Sequence, residues 1–297
     1  MKNINLLIVF LISSVAARAQ QITSSSFYDM SALLHNPAAV GVMKKTIAGA
    51  TYRTQWNSMP GNPNTGVVFA NTFMNQGKIG IGGYLYNDVT GPSRRTGLQA
   101  AYAYHIQLNE KAIFSMGIEG RFQQFSLDRQ KLEASLGSND PVLSGDLNKL
   151  KGDAGVGVAY TSSTFSIGAS VSQLIQSKLN FFPNNNPESA RNYRHYYLQS
   201  NYVFDLDNET KIIPNLLLIY LPNAPTEVQG GVRVSHNNLL WYGLSWRGTQ
   251  AWLLSAGLKL AEQFHLGYSF DIYSKPVSIY DGNSNGHELM LRYEFKK

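Results

Sequence analysis

The sequence contains no cysteine, and that absence removes disulfides, thiolate–zinc sites, iron–sulfur clusters and cysteine nucleophiles together. It removes the lipid-attachment cysteine of a bacterial lipoprotein as well. Charge is scarce too, since Asp, Glu, Lys and Arg make up only 15% of the 297 residues, against about 25% in an ordinary soluble domain. Hydrophobic residues, at 43%, do not fill the gap; Asn, Gln, Ser, Thr, Gly and Tyr do. Long apolar runs are missing: beyond the N-terminus the most apolar stretch is Leu216 to Leu221, far short of the ~20 residues of a transmembrane helix. The net charge of +6, or +4 without Lys2 and Arg18, is spread along the chain. That distribution excludes a nucleic-acid partner, which requires clustered Lys and Arg, and suits contact with membrane lipid and lipopolysaccharide.

What is present begins with a leader. Lys2 precedes an apolar run from Ile4 to Ile12 broken only by Asn5, and small residues then end in Ala17-Arg18-Ala19. This pattern predicts a signal peptide over residues 1–19, cleaved before Gln20. The next segment, residues 20–45, is too short for a domain. Its core, Met30 to Gly41, is too apolar for a free tail, and Asn36-Pro37 starts a turn in it. Asn36, Pro37, Ala38 and Gly41 are therefore expected in a small periplasmic or lumenal plug.

From Thr46 to the C-terminus the hydrophobic period is two. In the last segment His287, Leu289, Leu291, Tyr293 and Phe295 share one face, and Glu288, Met290, Arg292 and Glu294 the other. Phe264, Leu266, Tyr268 and Phe270 likewise oppose His265, Gly267, Ser269 and Asp271. About fourteen such strands follow one another, and the connections between them alternate short and long. The predicted fold class is all-β: a transmembrane antiparallel β-barrel of about 14 strands over residues 46–297, with a short N-terminal plug segment. Closure of the sheet is one of two ways to satisfy the backbone inside lipid, and loops sorted by length are a mark of outer-membrane barrels. Tyr102, Tyr104, Tyr196, Tyr202, Tyr220, Trp241, Tyr242, Trp246, Tyr268 and Tyr293 are expected in interfacial girdles. The chain is expected in the outer membrane.

Chemistry-bearing motifs are few. Six histidines stand scattered without H-x-H or H-x-x-x-H spacing, so no metal site is expected. Asp281 to Gly286 imitates half of an EF-hand loop, but Arg292 stands where a bidentate Glu belongs. Gly243-Leu244-Ser245-Trp246-Arg247 fails the nucleophile-elbow pattern at its last position. No cofactor and no catalysis are expected. The longest loops, Leu127 to Gly152 and Leu174 to Arg194, carry apolar residues, and Leu136, Pro141, Leu143, Leu179, Phe181 and Phe182 are the candidate contacts to an outer-face partner.

Several segments in sequence order resemble the PorP/SprF family of type IX secretion outer-membrane proteins. They include Asn36-Pro37-Ala38-Ala39 with Gly41, Tyr52-Arg53-Thr54-Gln55-Trp56, Tyr86-Asn87-Asp88 with Gly91, and Phe125-Ser126-Leu127-Asp128. Gly168-Ala169-Ser170, His195-Tyr196-Tyr197-Leu198, Gly267 to Asp271 and Gly286 to Leu291 continue the series. The family often carries Pro-Asp-Pro in the third long loop, where this chain has Ser138-Asn139-Asp140-Pro141. The resemblance implies a non-enzymatic barrel that serves secretion and surface attachment. The implied partner is the C-terminal domain of a secreted surface adhesin, or a periplasmic peptidoglycan-associated lipoprotein of the secretion system. The chain also resembles FadL-type barrels, about fourteen strands with an Asn-Pro-Ala plug, which implies transport of hydrophobic small molecules instead. Inward positions rich in Gly, Ser, Gln, Glu and Arg argue against a greasy conduit.

Overall fold

A computed structural model describes residues 25–136, 147–179, 190–222, 224–275, 278 and 285–296. The predicted signal peptide lies outside them. The chain is a closed antiparallel barrel of 14 strands. They are β1 (Thr46–Thr54), β2 (Asn64–Met74), β3 (Ile79–Thr90), β4 (Ser93–Asn109), β5 (Ala112–Leu127), β6 (Asn148–Ser162) and β7 (Phe165–Ser172). There follow β8 (His195–Tyr202, extended by Phe204–Asp205), β9 (Thr210–Tyr220), β10 (Glu227–His236), β11 (Leu240–Arg247), β12 (Ala251–Leu260), β13 (Phe264–Tyr273) and β14 (Asn285–Phe295). Neighbours in sequence are neighbours in the sheet, and β1 closes the ring against β14 from Thr46↔Phe295 to Thr54↔His287. With no free edge, every strand finds backbone partners on both sides.

Strand alternation sorts the side chains between lipid and lumen. On β14, Leu289 and Leu291 are about half exposed, at 53% and 51%, while Glu288 and Met290, which alternate with them, are at 1% and 0%. The aromatic and aliphatic face therefore points outward, and the charged face points inward. Trp241 breaks the expected girdle. On β11 the outward positions are Tyr242, Leu244 and Trp246, so Trp241 faces the lumen, buried edge-on to Phe27 with ring centroids 5.9 Å apart. Gly257 and Gly267 leave the room its indole fills; a Cβ on either would collide with the ring.

Short turns such as 110–111, 163–164 and 261–263 lie at one end of the barrel and longer connections at the other. The connection between β3 and β4, at the long-loop end, is nevertheless tight. β3 and β4 stay paired to Thr90↔Ser93, and the hairpin turns on Gly91-Pro92 with Gly91 at φ +56°. The pairing persists because Asp88 bridges Arg95 at 3.1 Å and accepts the Thr65 hydroxyl at 2.8 Å. Helix α1 (Arg129–Leu136) follows β5, and a two-residue ladder, Lys178–Leu179 with Ala190–Arg191, stands between β7 and β8.

Candidate functional site

The lumen holds residues 25–45, and their conformation starts from local chemistry. Asn36 is extended, and its Oδ1 accepts the Ala38 amide at 2.9 Å, capping the 3₁₀ turn Pro37–Ala39. Pro37 suits the first position of that turn, where no amide proton is needed. The same Asn36 side chain donates from Nδ2 to the Val158 carbonyl on β6 at 3.0 Å. Ser170 of β7 donates to the His35 carbonyl at 2.5 Å. His105 of β4 meets the Val40 carbonyl through Nε2 at 2.9 Å and the Ser115 hydroxyl through Nδ1 at 2.7 Å. A carbonyl only accepts, so Nε2 carries the proton and Nδ1 receives the hydroxyl's.

Close approach depends on glycine. A Cβ on Gly117 would strike the backbone of Pro37 and Ala38, one on Gly157 the Asn36 side chain, and one on Gly80 the Val40 carbonyl. Gly41, at φ +72°, turns the chain toward β1, with only 2.6 Å between an added Cβ and the Thr72 carbonyl. Asn36, Pro37, Ala38 and Gly41 are thus brought together against β2 to β7, with Asn36 at 1% and Ala38 at 0% exposure.

The opposite wall holds the segment by charge. Arg53 of β1 pairs with Asp271 of β13 and, at 3.2 Å, with Glu288 of β14; Arg247 of β11 reaches the same Asp271 at 3.2 Å. Into this network Ser25 donates its hydroxyl to Glu288 at 2.6 Å. Ser26 donates its amide to Glu288 at 2.7 Å and its hydroxyl to Asp271 at 3.0 Å. Tyr28 donates to Asn215. Nearer the short turns, Asp29 pairs with Arg233 at 2.8 Å, Arg292 donates to the Met30 carbonyl at 3.2 Å, and Glu294 joins Arg292 to Lys45. Segment 25–45 therefore bonds to the lumen wall from the long-loop end, at Ser25, to the short-turn end, at Lys45. The charge network escaped the sequence reading, because a register spanning more than two hundred residues assembles it; unpaired-looking Arg, Asp and Glu on otherwise small, polar strand faces were its only signal.

Two cavities flank the segment. One, about 780 Å³ with its mouth, lies at the long-loop end and includes Ser25, Leu34 and His35 in its wall. The other, about 1990 Å³ with its mouth, lies at the short-turn end and includes Tyr28 to Leu33, Ala39 and Met43. His35 is fully enclosed, and burial, reinforced by the Arg121 charge, lowers its pKa to about 4, so its imidazole is neutral.

The candidate loop contacts are less defined. Leu136 ends α1, and Leu179 pairs with Ala190 in the short ladder. Pro141, Leu143, Phe181 and Phe182 lie outside the described residues.

The profile of a family described as type IX secretion system membrane protein PorP/SprF matches residues 17–293. The chain belongs to this family. No curated protein matches it. Among solved structures, the CymD monoaromatic hydrocarbon channel is similar with a TM-score of 0.53 at 8% identity, covering 90% of this chain and 93% of that one. A Pseudomonas aeruginosa FadL homologue gives 0.51 at 10% identity over 90% and 94%. The Acinetobacter baumannii outer-membrane protein Omp33 gives 0.50 at 7% over 85% and 98%. At such identities the likeness is one of fold. This PorP/SprF chain is an outer-membrane barrel of the type IX secretion system.

Proposed function

We propose that this PorP/SprF barrel is a non-enzymatic docking scaffold whose lumen is plugged by residues 25–45 and whose long-loop face receives the C-terminal domain of a secreted surface adhesin. The observation that carries the reading is that one segment contributes to the walls of two lumenal cavities while bonding to opposite sides of the barrel. A barrel obstructed along its axis offers surfaces more readily than a conduit. Short turns face the periplasm in this reading, as in outer-membrane barrels generally, and there a peptidoglycan-associated lipoprotein of the secretion system is the second partner. Leu136 and Leu179 lie within the longest loops, and with Pro141, Leu143, Phe181 and Phe182 they supply apolar contact.

Purification in mild detergent tests the scaffold. An adhesin C-terminal domain or the lipoprotein is expected to co-purify without a stoichiometric lipid. A stable outer-face interface needs about 1,000 Å² or more, so shortening both the 127–152 and 174–194 connections should release the adhesin and leave a heat-modifiable barrel. Adhesin that stays bound after this change rules out the loop dock. The likeness in fold to a FadL homologue favours a second reading, transport of a hydrophobic small molecule, and bound fatty acid with no protein partner would establish it instead.

A further inference from the structure

The long-loop cavity contains polar groups that the fold leaves unused. Arg121 of β5 donates from Nε to Glu119 at 2.6 Å, and Glu119 accepts Gln99 through its other oxygen at 2.6 Å. The Arg121 Nη2 is buried without a partner, and so are Gln123 Oε1, Gln173 Oε1 and His35 Nε2. These four side chains line one cavity and are each more than nine-tenths buried, at 7%, 3%, 7% and 4% exposure. Buried polar groups are almost always satisfied, so these orphans around one space, with Arg53 Nε as a fifth, mark a place for an occupant.

The chemistry of the wall selects that occupant. Arg53, Arg95 and Arg121 line it with one acid, Glu288, whose two oxygens are already engaged by Ser25, Ser26 and Arg53. Outside the lining, Asp271, Asp88 and Glu119 pair with the same three arginines, so the opening for a ligand is the unpartnered Nη2 of Arg121. The guanidinium of Arg121 lies over Tyr84 at 5.9 Å and that of Arg95 over Tyr86 at 5.9 Å. Tyr197 adds a third ring, 5.4 Å from His35. A guanidinium with a free Nη edge matches a planar carboxylate, and the aromatic parts of the wall not covered by these contacts border a flat or apolar body attached to it. The glutamine amides, which present either oxygen or nitrogen according to rotation, complete a polar rim.

We infer that the long-loop cavity is a binding site for a carboxylate carried on a planar or apolar body, with Arg121 as its anchor. The carboxylate belongs either to the free C-terminal end of a peptide entering among the long loops or to a small aromatic acid. The site stands independently of which protein docks on the barrel.

Calorimetric titration of the full-length protein in detergent tests this with N-acetyltyrosine and 4-hydroxybenzoate as probes, and N-acetyltyrosinamide as the neutral counterpart. Saturable binding of an acid, at least tenfold weaker for the amide, is expected. Pentapeptides ending in tyrosine, one with a free and one with an amidated end, separate the two sources. A free-end peptide that binds at least tenfold tighter than 4-hydroxybenzoate assigns the site to chain ends, and the reverse order assigns it to small acids. Arg121→Gln alone strands Glu119, so the double change Glu119→Gln with Arg121→Gln is the better variant; it should lose at least tenfold in acid binding with the barrel still heat-modifiable. Acid and amide binding equally well, or no saturable binding of any probe to the folded wild-type barrel, overturns the proposal.

Discussion

Two walls of the same lumen hold the same segment by different means. The wall formed by β1, β10, β11, β13 and β14 holds residues 25–30 with buried ion pairs centred on Asp271 and Glu288. The wall formed by β2 to β7 holds residues 35–41 by backbone approach, with glycines where side chains would collide and one neutral hydrogen bond at a time. The difference predicts how each grip fails. A charge network fails when one member is removed, because the remaining charges stay buried. A close-packed contact loses its interactions in smaller steps.

The largest effect should follow Asp271→Ala. It leaves Arg53 and Arg247 without the carboxylate they share, and breaking a buried pair in this way costs about 3–5 kcal/mol. Urea unfolding in detergent measures the loss, and amide hydrogen exchange over residues 25–31 should rise with it. Unchanged exchange there would mean that the network secures barrel closure alone.

Leu291→Arg on the lipid face of β14 should destabilise by about 2–4 kcal/mol if it lies near the bilayer midplane. Unlike Asp271→Ala, it should leave exchange of residues 25–31 alone in the molecules that stay folded. Equal release of the segment by both changes would erase the distinction between wall and contents.

The strands were legible in the sequence because the period of two repeats wherever one face meets lipid. Leu289 and Leu291 read as outward from their spacing alone, and the structure agrees. Turn lengths were legible less well. Gly91-Pro92 closes a hairpin whose persistence depends on Asp88, Arg95 and Thr65, three residues on three strands. Trp241 was misplaced for a similar reason: aromatic content suggested a girdle, while the available volume was set by Gly257 and Gly267 on neighbouring strands. Arg53, Asp271 and Glu288 looked like ordinary lumenal polar residues. Only closure of β1 on β14 brings them together, and no local pattern encodes that meeting.

Acidification should loosen the glycine-lined wall before the charged one. His35 has its pKa lowered from 6.5 to about 4 by burial first and Arg121 second, so the neutral form is favoured in the docked segment and the unfolded chain binds the proton earlier. The stabilisation is complete above pH 6.5 and is lost as pH falls from 6.5 toward 4, at about 1.4 kcal/mol per unit. At pH 5 the loss should be about 2 kcal/mol. His35→Gln, which does not titrate, should flatten the pH dependence of exchange over residues 32–41. A slope equal to wild type would move the responsible proton elsewhere.

The smallest effect should come from Asn36, although it makes the most specific contacts of the segment. Asn36→Ala removes the cap on the Ala38 amide and the bond to Val158; loss of such a cap costs about 1 kcal/mol. Asn36→Asp keeps an acceptor for Ala38 but turns the donor to Val158 into a second acceptor, and it places a charge in a buried site at 1% exposure. The aspartate should therefore be worse than the alanine, the reverse of their order at an exposed cap. Hydrogen exchange of the Ala38 amide and urea midpoints of the two variants check this together. If aspartate proves the milder change, the Asn36 site is hydrated, and the close approach that Gly157 permits leaves room for water.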